Sequence, residues 1–207
     1  MKTCVYCGKG GKMTKDHVPP QCFFLDPAPN INRVTVPCCE KCRKVGEKDE
    51  APIRNLLISC LQVESHPVVQ TQLAERRNRS FKLDPTQLEQ IVERMVPITI
   101  RTSSGTAIGT APGFNLDSPL MDNFLHRVTR ALVHKERKTG YVASTIKWKL
   151  NPPTQTLSGF NQFGQTRHVG DIFSYSVIFS PQPPTSYWYL QFYQHLNFLV
   201  DFKSLML

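Results

Sequence analysis

The chain carries two tetrapeptides, Cys4-Val5-Tyr6-Cys7 and Cys39-Glu40-Lys41-Cys42. In each of them two residues separate the cysteines, a spacing that lets one tight turn direct two thiolates at a single metal ion. Two such turns complete a closed tetrahedral site of the structural kind. Cys38 is an adjacent alternative to Cys39, although its spacing to Cys42 is less usual. We therefore predict a structural zinc ion (Zn²⁺) on Cys4, Cys7, Cys39 and Cys42.

The segment that contains both tetrapeptides has few long apolar side chains and many prolines and lysines. Such a segment cannot bury much of a core, so the metal must substitute for it. Zinc contributes on the order of 10 kcal/mol of apparent folding free energy to small modules. We therefore predict a zinc-stapled module at residues 1–54, followed at 55–207 by an α+β accessory body packed on it.

The fold class predicted for the whole chain is α+β, with the module followed by helices and a C-terminal antiparallel sheet. Helical spacing of apolar residues predicts helices over 51–65, 85–96 and 119–138, the last ended by Gly140, and a further helix after Pro67. The glycine-rich and threonine-rich stretch at 102–112 indicates strand ends and a loop. Alternating apolar residues predict strands through 173–179, 188–192 and 198–202, the first two joined by a turn at 181–186.

Charge and hydropathy restrict the partners. The chain has 25 Lys and Arg against 16 Asp and Glu, a formal net charge of +9, which favours a polyanionic partner such as nucleic acid. No run approaches the roughly 18 apolar residues that span a bilayer, so we expect no membrane association. The N-terminal residues lack the apolar run of a signal peptide, so we expect a reducing, cytoplasmic location and cysteines that bind metal rather than form disulfides.

Between the two cysteine pairs lies the sequence Thr14-Lys15-Asp16-His17-Val18-Pro19-Pro20. Adjacent residues of a strand point in alternate directions, so Asp16 can face a metal ion while His17 faces a water molecule. The order of CxxC, Asp-His-Val-x-Pro, a loop asparagine and a second CxxC leading into a short helix resembles the HNH endonuclease family, which has the ββα-metal fold. The resemblance covers residues 1–54.

The resemblance implies a metal-dependent nuclease that hydrolyses phosphodiester bonds, with DNA as the favoured substrate. His17 would be the general base that activates water, since a near-neutral pKa suits that role. Asp16 would hold a catalytic Mg²⁺ or another divalent cation. Asn32 would orient the imidazole of His17, and Asn30 is the nearby alternative. Small proteins of this build are similar to nucleases of phage defence and of mobile elements.

One position departs from the family pattern. After the second cysteine pair the family usually has a His or Asn that completes the metal site, but this chain has Arg43. A guanidinium group cannot bind a hard cation, so another oxygen ligand must replace it or catalysis is lost. Glu47, one helical turn further on, is the first candidate, followed by Asp49 and Glu50. Arg43 would instead clamp the scissile phosphate, whose oxygens its fork of donors fits.

The alternative function is a catalytically inactive zinc module that binds nucleic acid or a protein, because paired CxxC turns also occur in zinc ribbons of that kind. The two functions differ in whether nucleic acid is cleaved when a divalent cation is added. The sequence leaves a homodimer or a protein partner open.

Overall fold

The computed structural model describes residues 2–25, 31, 33–102, 104–181 and 185–205, and it has the predicted α+β architecture. None of the helices in these ranges is both long enough and apolar enough to cross a membrane. The strands are β1 (Met13–Val18), β2 (Val34–Cys39), β3 (Met95–Arg101), β4 (Ala107–Phe114), β5 (Ser144–Leu150), β6 (Gln165–Val169), β7 (Phe173–Phe179), β8 (Thr185–Phe192) and β9 (Leu196–Ser204). The helices are α1 (Glu40–Ile58), α2 (Ala74–Leu83), α3 (Pro85–Glu93), α4 (Pro119–Arg137) and α5 (Thr154–Phe163).

The N-terminal segment is an antiparallel hairpin that runs directly into a helix. Strand β1 pairs with β2, and Cys39 at the end of β2 is also the N-cap residue of α1. The predicted helix over 51–65 was therefore wrong at both ends, because α1 begins at Glu40 and ends at Ile58. Pro52 lies inside α1 rather than at its start. Because the first half of α1 is mostly polar, the spacing of apolar residues did not indicate that the helix begins at Glu40.

The C-terminal sheet confirms the predicted strands. Its order is β5-β9-β8-β7-β6, and every neighbouring pair is antiparallel. On β8 the side chains of Trp188, Leu190 and Phe192 share one parity and are fully buried. The predicted turn at 181–186 lies partly outside the described residues. In the C-terminal part of the chain β5, α5 and β6 were not predicted, and most of their side chains are partly or fully exposed.

Helix α4 connects the two halves of the chain. It packs against β1, β2 and α1 on one side and against β5 and β9 on the other. Its start matches the prediction, because Pro119 occupies the first turn and the Ser118 hydroxyl accepts a hydrogen bond from the Met121 amide. Its end comes at Arg137, where Lys138 adopts a left-handed conformation. Lys138, rather than the predicted Gly140, therefore ends the helix.

The hydrophobic core is continuous from the hairpin segment to the C-terminal sheet. Phe23 is fully buried, and its ring stacks on Phe124 of α4 and on Tyr193, with centroids 5.6 Å and 6.3 Å away. The predicted boundary at residue 54 falls inside α1. That division stays a prediction, but residues on both sides of it contribute to the same core.

Strand β4 covers most of the stretch at 102–112 for which the sequence predicted strand ends and a loop. It pairs with β3 in a separate two-stranded hairpin, and β3 begins at Met95, where the helix over 85–96 was predicted to continue. Every residue of β3 is exposed, including Val96, Ile98 and Ile100. In the register of this hairpin Pro97 lies directly opposite Pro112. The hairpin therefore presents apolar side chains to solvent.

We expect Ser118→Ala to lower the free energy of unfolding by about 1 kcal/mol, because the first turn of α4 loses the hydroxyl that caps it. Urea unfolding would measure the change. Ser118→Gly is the control, since glycine at this position typically costs only a few tenths of a kcal/mol. An alanine variant as stable as the parent would show that the cap contributes nothing.

Candidate functional site

Four cysteines gather at the N-terminal end of α1. The sulfur atoms of Cys4, Cys7, Cys39 and Cys42 all lie within 4.8 Å of one another, close enough to bind one metal ion. Cys7 Sγ and Cys39 Sγ are 3.7 Å apart. Tetrahedral Zn–S bonds of about 2.3 Å would hold sulfur atoms about 3.8 Å apart, so the spacing is consistent with structural zinc.

Backbone hydrogen bonds hold the first cysteine pair against β2. The Val5 amide donates to the Pro37 carbonyl at 3.0 Å, and the Gly8 amide donates to the Cys4 carbonyl at 2.9 Å. Gly8 has a φ of 74°, a left-handed conformation that glycine adopts without strain. On the other side Cys39 and Cys42 flank the first turn of α1, so one helix end places both sulfur atoms beside the first cysteine pair.

Cys38, the alternative to Cys39, lies outside the cluster. Its side chain is fully buried, its thiol contacts the Cys39 carbonyl at 3.3 Å, and Nη2 of Arg127 lies 3.9 Å from it. Residues 38 and 39 are adjacent on β2 and point in opposite directions, so only one of them can face the first cysteine pair. The geometry selects Cys39.

A cleft of about 330 Å³ borders the cysteine cluster, and both Asp16 and His17 line it. The cleft lies between β1, α1 and α4. Its acidic side chains are Asp16, Asp49 and Glu50, and its basic side chains are Lys41, Arg127 and Arg130. A single opening therefore presents carboxylates that suit a hard cation and cations that suit a phosphate.

Asp16 is held by two donors. The Tyr6 hydroxyl donates to Asp16 Oδ2 at 2.6 Å, and Nη2 of Arg127 forms an ion pair with the same oxygen at 2.9 Å. Asp16 is only 7% exposed. Tyr6 lies between Cys4 and Cys7, so the turn that carries two cysteine ligands also holds this carboxylate in place.

His17 is half-buried beside Asp16 on β1. Burial lowers the pKa of the His17 imidazole, and the positive charge of Arg33 lowers it further, against the opposing charge of Asp16. A lowered pKa keeps the imidazole neutral at physiological pH. The ring can therefore accept a proton, as a general base must.

Glu50 is the acid of α1 that best fits a cation beside Asp16. Burial raises the pKa of its carboxyl, and the negative charge of Asp16 raises it further. Within the described part of the chain the Glu50 carboxylate accepts no hydrogen bond and forms no ion pair. A half-buried acid without a donor, next to a second acid, is a favourable position for a positive ion.

Arg43 and Glu47 lie together, but away from the cleft. Arg43 forms ion pairs with Glu40 and Glu47 on the surface of α1, and neither Arg43 nor Glu47 lines the cleft. Gly46 lines the cleft, and Glu47, the next residue of α1, is turned about 100° further around the helix. Among the described residues, the four cysteines are the one group of three or more His, Cys, Asp or Glu residues whose donor atoms all lie within 4.8 Å. Asn32 and Asn30 lie outside the described residues.

Helix α4 supplies site residues that the sequence analysis missed. Arg127 binds Asp16, and Nη1 of Arg130 donates to the Tyr6 carbonyl at 2.9 Å. His126 also lines the cleft, and burial together with the charge of Arg130 lowers the pKa of His126 to about 4. The spacing of positions 123, 126, 127 and 130 along one face was a visible signal, but nothing in the sequence showed what that face contacts.

Comparison of the chain with protein-family models, with curated proteins and with solved structures finds no match in any of the three. A proposal for the function of this chain therefore depends on the geometry of the cysteine cluster and of the cleft beside it.

We expect Cys39→Ser to lose the bound metal ion and Cys38→Ser to retain it, because only the sulfur of Cys39 lies within the cluster. Elemental analysis of the purified variants would give the metal content per chain. Retention of a full equivalent by Cys39→Ser would show that Cys38 replaces it as a ligand.

We expect Glu50→Gln to raise the Tm at pH 7.5 by roughly 2 °C, the order expected for a partly exposed charge in a chain of this length. The pKa of the Glu50 carboxyl is raised in the fold, so the folded state favours the protonated carboxyl. The stabilising contribution of Glu50 is therefore complete below the ordinary glutamate pKa. That contribution is lost as the pH rises through the raised pKa. The Tm of the variant should therefore vary less than that of the parent between pH 4 and pH 8.

Thermal unfolding without divalent cations would measure both effects. Glu89→Gln, at an exposed position of α3, is the control for the loss of one negative charge. A lower Tm for Glu50→Gln than for the parent would mean that the ionised Glu50 stabilises the fold.

Proposed function

We propose that the chain is a metal-dependent endonuclease of the HNH type, with structural zinc on the four cysteines. The observation that carries the proposal is that Asp16 and His17, neighbours on β1, both line one cleft that borders the cysteine cluster. The strand-strand-helix order of β1, β2 and α1 agrees with the ββα arrangement that the sequence resembles. The basic side chains of the same cleft suit a polyanionic substrate.

In this proposal Asp16 and Glu50 would hold a divalent cation, and Asp49 also lines the cleft. Carboxylates suit Mg²⁺, which usually takes only one or two of them and completes its shell with water and substrate phosphate. The cleft offers only a few carboxylates, in agreement with this coordination preference of Mg²⁺. When bound, the cation would neutralise the phosphate and stabilise the departing oxygen. Glu50 takes the place first assigned to Glu47, which is paired with Arg43.

His17 would act on the attacking water molecule. Its neutral imidazole accepts a proton from the water as the water oxygen forms a bond to phosphorus. The bond from phosphorus to the leaving sugar oxygen then breaks, and that oxygen takes up a proton from solvent. Lys41 and Arg130 line the cleft and would contact the flanking phosphates. DNA remains the favoured substrate on the resemblance alone.

Two observations favour the inactive alternative, a zinc module that binds nucleic acid without cleaving it. The charge of Asp16 is already balanced by Arg127, and Arg43 stands where the family usually has a metal ligand. Such a module would bind DNA with an affinity that falls steeply with salt, but it would leave the DNA intact.

We expect the zinc-loaded protein to nick plasmid DNA in Mg²⁺, Mn²⁺ or Ni²⁺, and His17→Ala to be at least about 100-fold slower, the scale of general-base catalysis. Gel electrophoresis of plasmid time courses would measure the rates. His195→Ala, at an exposed position in the turn between β8 and β9, is the control. Elemental analysis and Tm should show that the His17 variant keeps its metal and its fold.

Cleavage by His17→Ala at the rate of the parent would remove His17 as the base. DNA binding without cleavage in any of the three cations would favour the inactive module.

A further inference from the structure

Arg127 is fixed on several sides at once. Its guanidinium carbon lies 4.0 Å from the centre of the Tyr6 ring, and Nη1 donates to the Cys42 carbonyl at 2.9 Å. On the α1 side the backbone of Gly46 approaches so closely that an added Cβ would lie 2.5 Å from the guanidinium carbon. The group is therefore held between the first cysteine turn and α1 rather than free to swing into solvent.

The fixed guanidinium determines which part of Asp16 faces the cleft. Both donors of Asp16, Tyr6 and Arg127, contact Oδ2. Within the described residues Oδ1 accepts no hydrogen bond, so it is the oxygen left for a cation. Asp16 can therefore bind a cation through one oxygen only, and its charge is already shared with Arg127.

The charges of the cleft balance without any ligand. Three acidic and three basic side chains line it, and one of the basic groups is in direct contact with Asp16. A divalent cation that enters alone meets little net attraction and one adjacent positive charge. A phosphodiester adds a negative charge and oxygen ligands of its own, so cation and substrate enter together more favourably than either enters alone.

We propose that Arg127 keeps the affinity of the Asp16 and Glu50 site for a free divalent cation low, so that the cation is retained only with substrate phosphate. The inference rests on the proposed function for the identity of the site. Arg127 acts through Asp16 and is a positioning residue. It orients Oδ1 for the reaction while it weakens the binding of the free ion.

Removal of the guanidinium should therefore move two quantities in opposite directions. We expect Arg127→Met to bind Mn²⁺ at least about tenfold more tightly than the parent without nucleic acid, because the adjacent positive charge is gone. We expect the same variant to cleave plasmid at least about tenfold more slowly, because Asp16 loses one of the two donors that orient it. A variant that was merely misfolded would lose both binding and cleavage.

The titration would use zinc-loaded full-length protein, with free Mn²⁺ followed by its electron paramagnetic resonance signal. Arg79→Met, at an exposed position of α2, removes the same charge far from the cleft and should bind Mn²⁺ like the parent. Elemental analysis would confirm that each variant retains its structural metal.

A second variant tests the same inference while Arg127 stays in the sequence. Gly46→Ala places a methyl group where the guanidinium lies, so the guanidinium must leave the position from which it contacts Asp16. We expect tighter Mn²⁺ binding than in the parent, in the same direction as Arg127→Met. Gly159→Ala is the matched control, because Gly159 also lies within a helix and an added Cβ there meets nothing within 4 Å.

The outcomes separate the inference from the proposed function. Mn²⁺ affinity that is unchanged or lower in both Arg127→Met and Gly46→Ala overturns the inference, even if the parent cleaves DNA. Tighter Mn²⁺ binding by both variants, with no cleavage by the parent in any cation, supports the inference about the site and rejects the nuclease. Failure of every protein, the two variants included, to bind Mn²⁺ without nucleic acid rejects the inference, and plasmid cleavage by the parent then decides the nuclease separately.

Discussion

The ion pair between Asp16 and Arg127 joins parts of the chain that are 111 residues apart. Arg127 also contacts the carbonyl of Cys42, so one guanidinium links the strand that carries the acid, the cysteine cluster and the long helix α4. An ion pair removed from water is costly unless its remaining donors and acceptors are satisfied. Tyr6 and the Cys42 carbonyl supply those partners, which is why the pair can persist beside a cleft.

The cysteine cluster and the apolar core stabilise the N-terminal segment in different places. The cluster fixes the ends of the hairpin, where there are few apolar side chains to bury. Phe23 anchors the loop that follows β1 by inserting between Phe124 and Tyr193. The geometry of the cleft therefore depends on both, because β1 lies between the cysteine turn and this aromatic contact. Disruption of the cysteine cluster would loosen one end of the strand that carries Asp16 and His17.

The sequence predicted the parts of the site that depend on local spacing. The two CxxC turns, the adjacent Asp16 and His17, and the strands with alternating burial follow from contacts within a few residues. Arg127 could not be predicted in the same way, because its role comes from tertiary packing of α4 against β1. Glu47 was preferred to Glu50 on spacing from Arg43, but the surface ion pair with Arg43 and the rotation around α1 place Glu50 in the cleft.

The β3–β4 hairpin exposes apolar strands, and a pair of prolines interrupts the edges to which other strands could add. Residues directly opposite in an antiparallel pair point their amides alternately towards the partner strand and away from it. Proline has no amide hydrogen, so the opposed Pro97 and Pro112 occupy the outward-pointing positions. Each outer edge therefore lacks a donor near its middle, and a foreign strand cannot form an unbroken ladder along it. Growth into an extended intermolecular sheet, the first step towards fibrils, is therefore disfavoured on both sides of the hairpin.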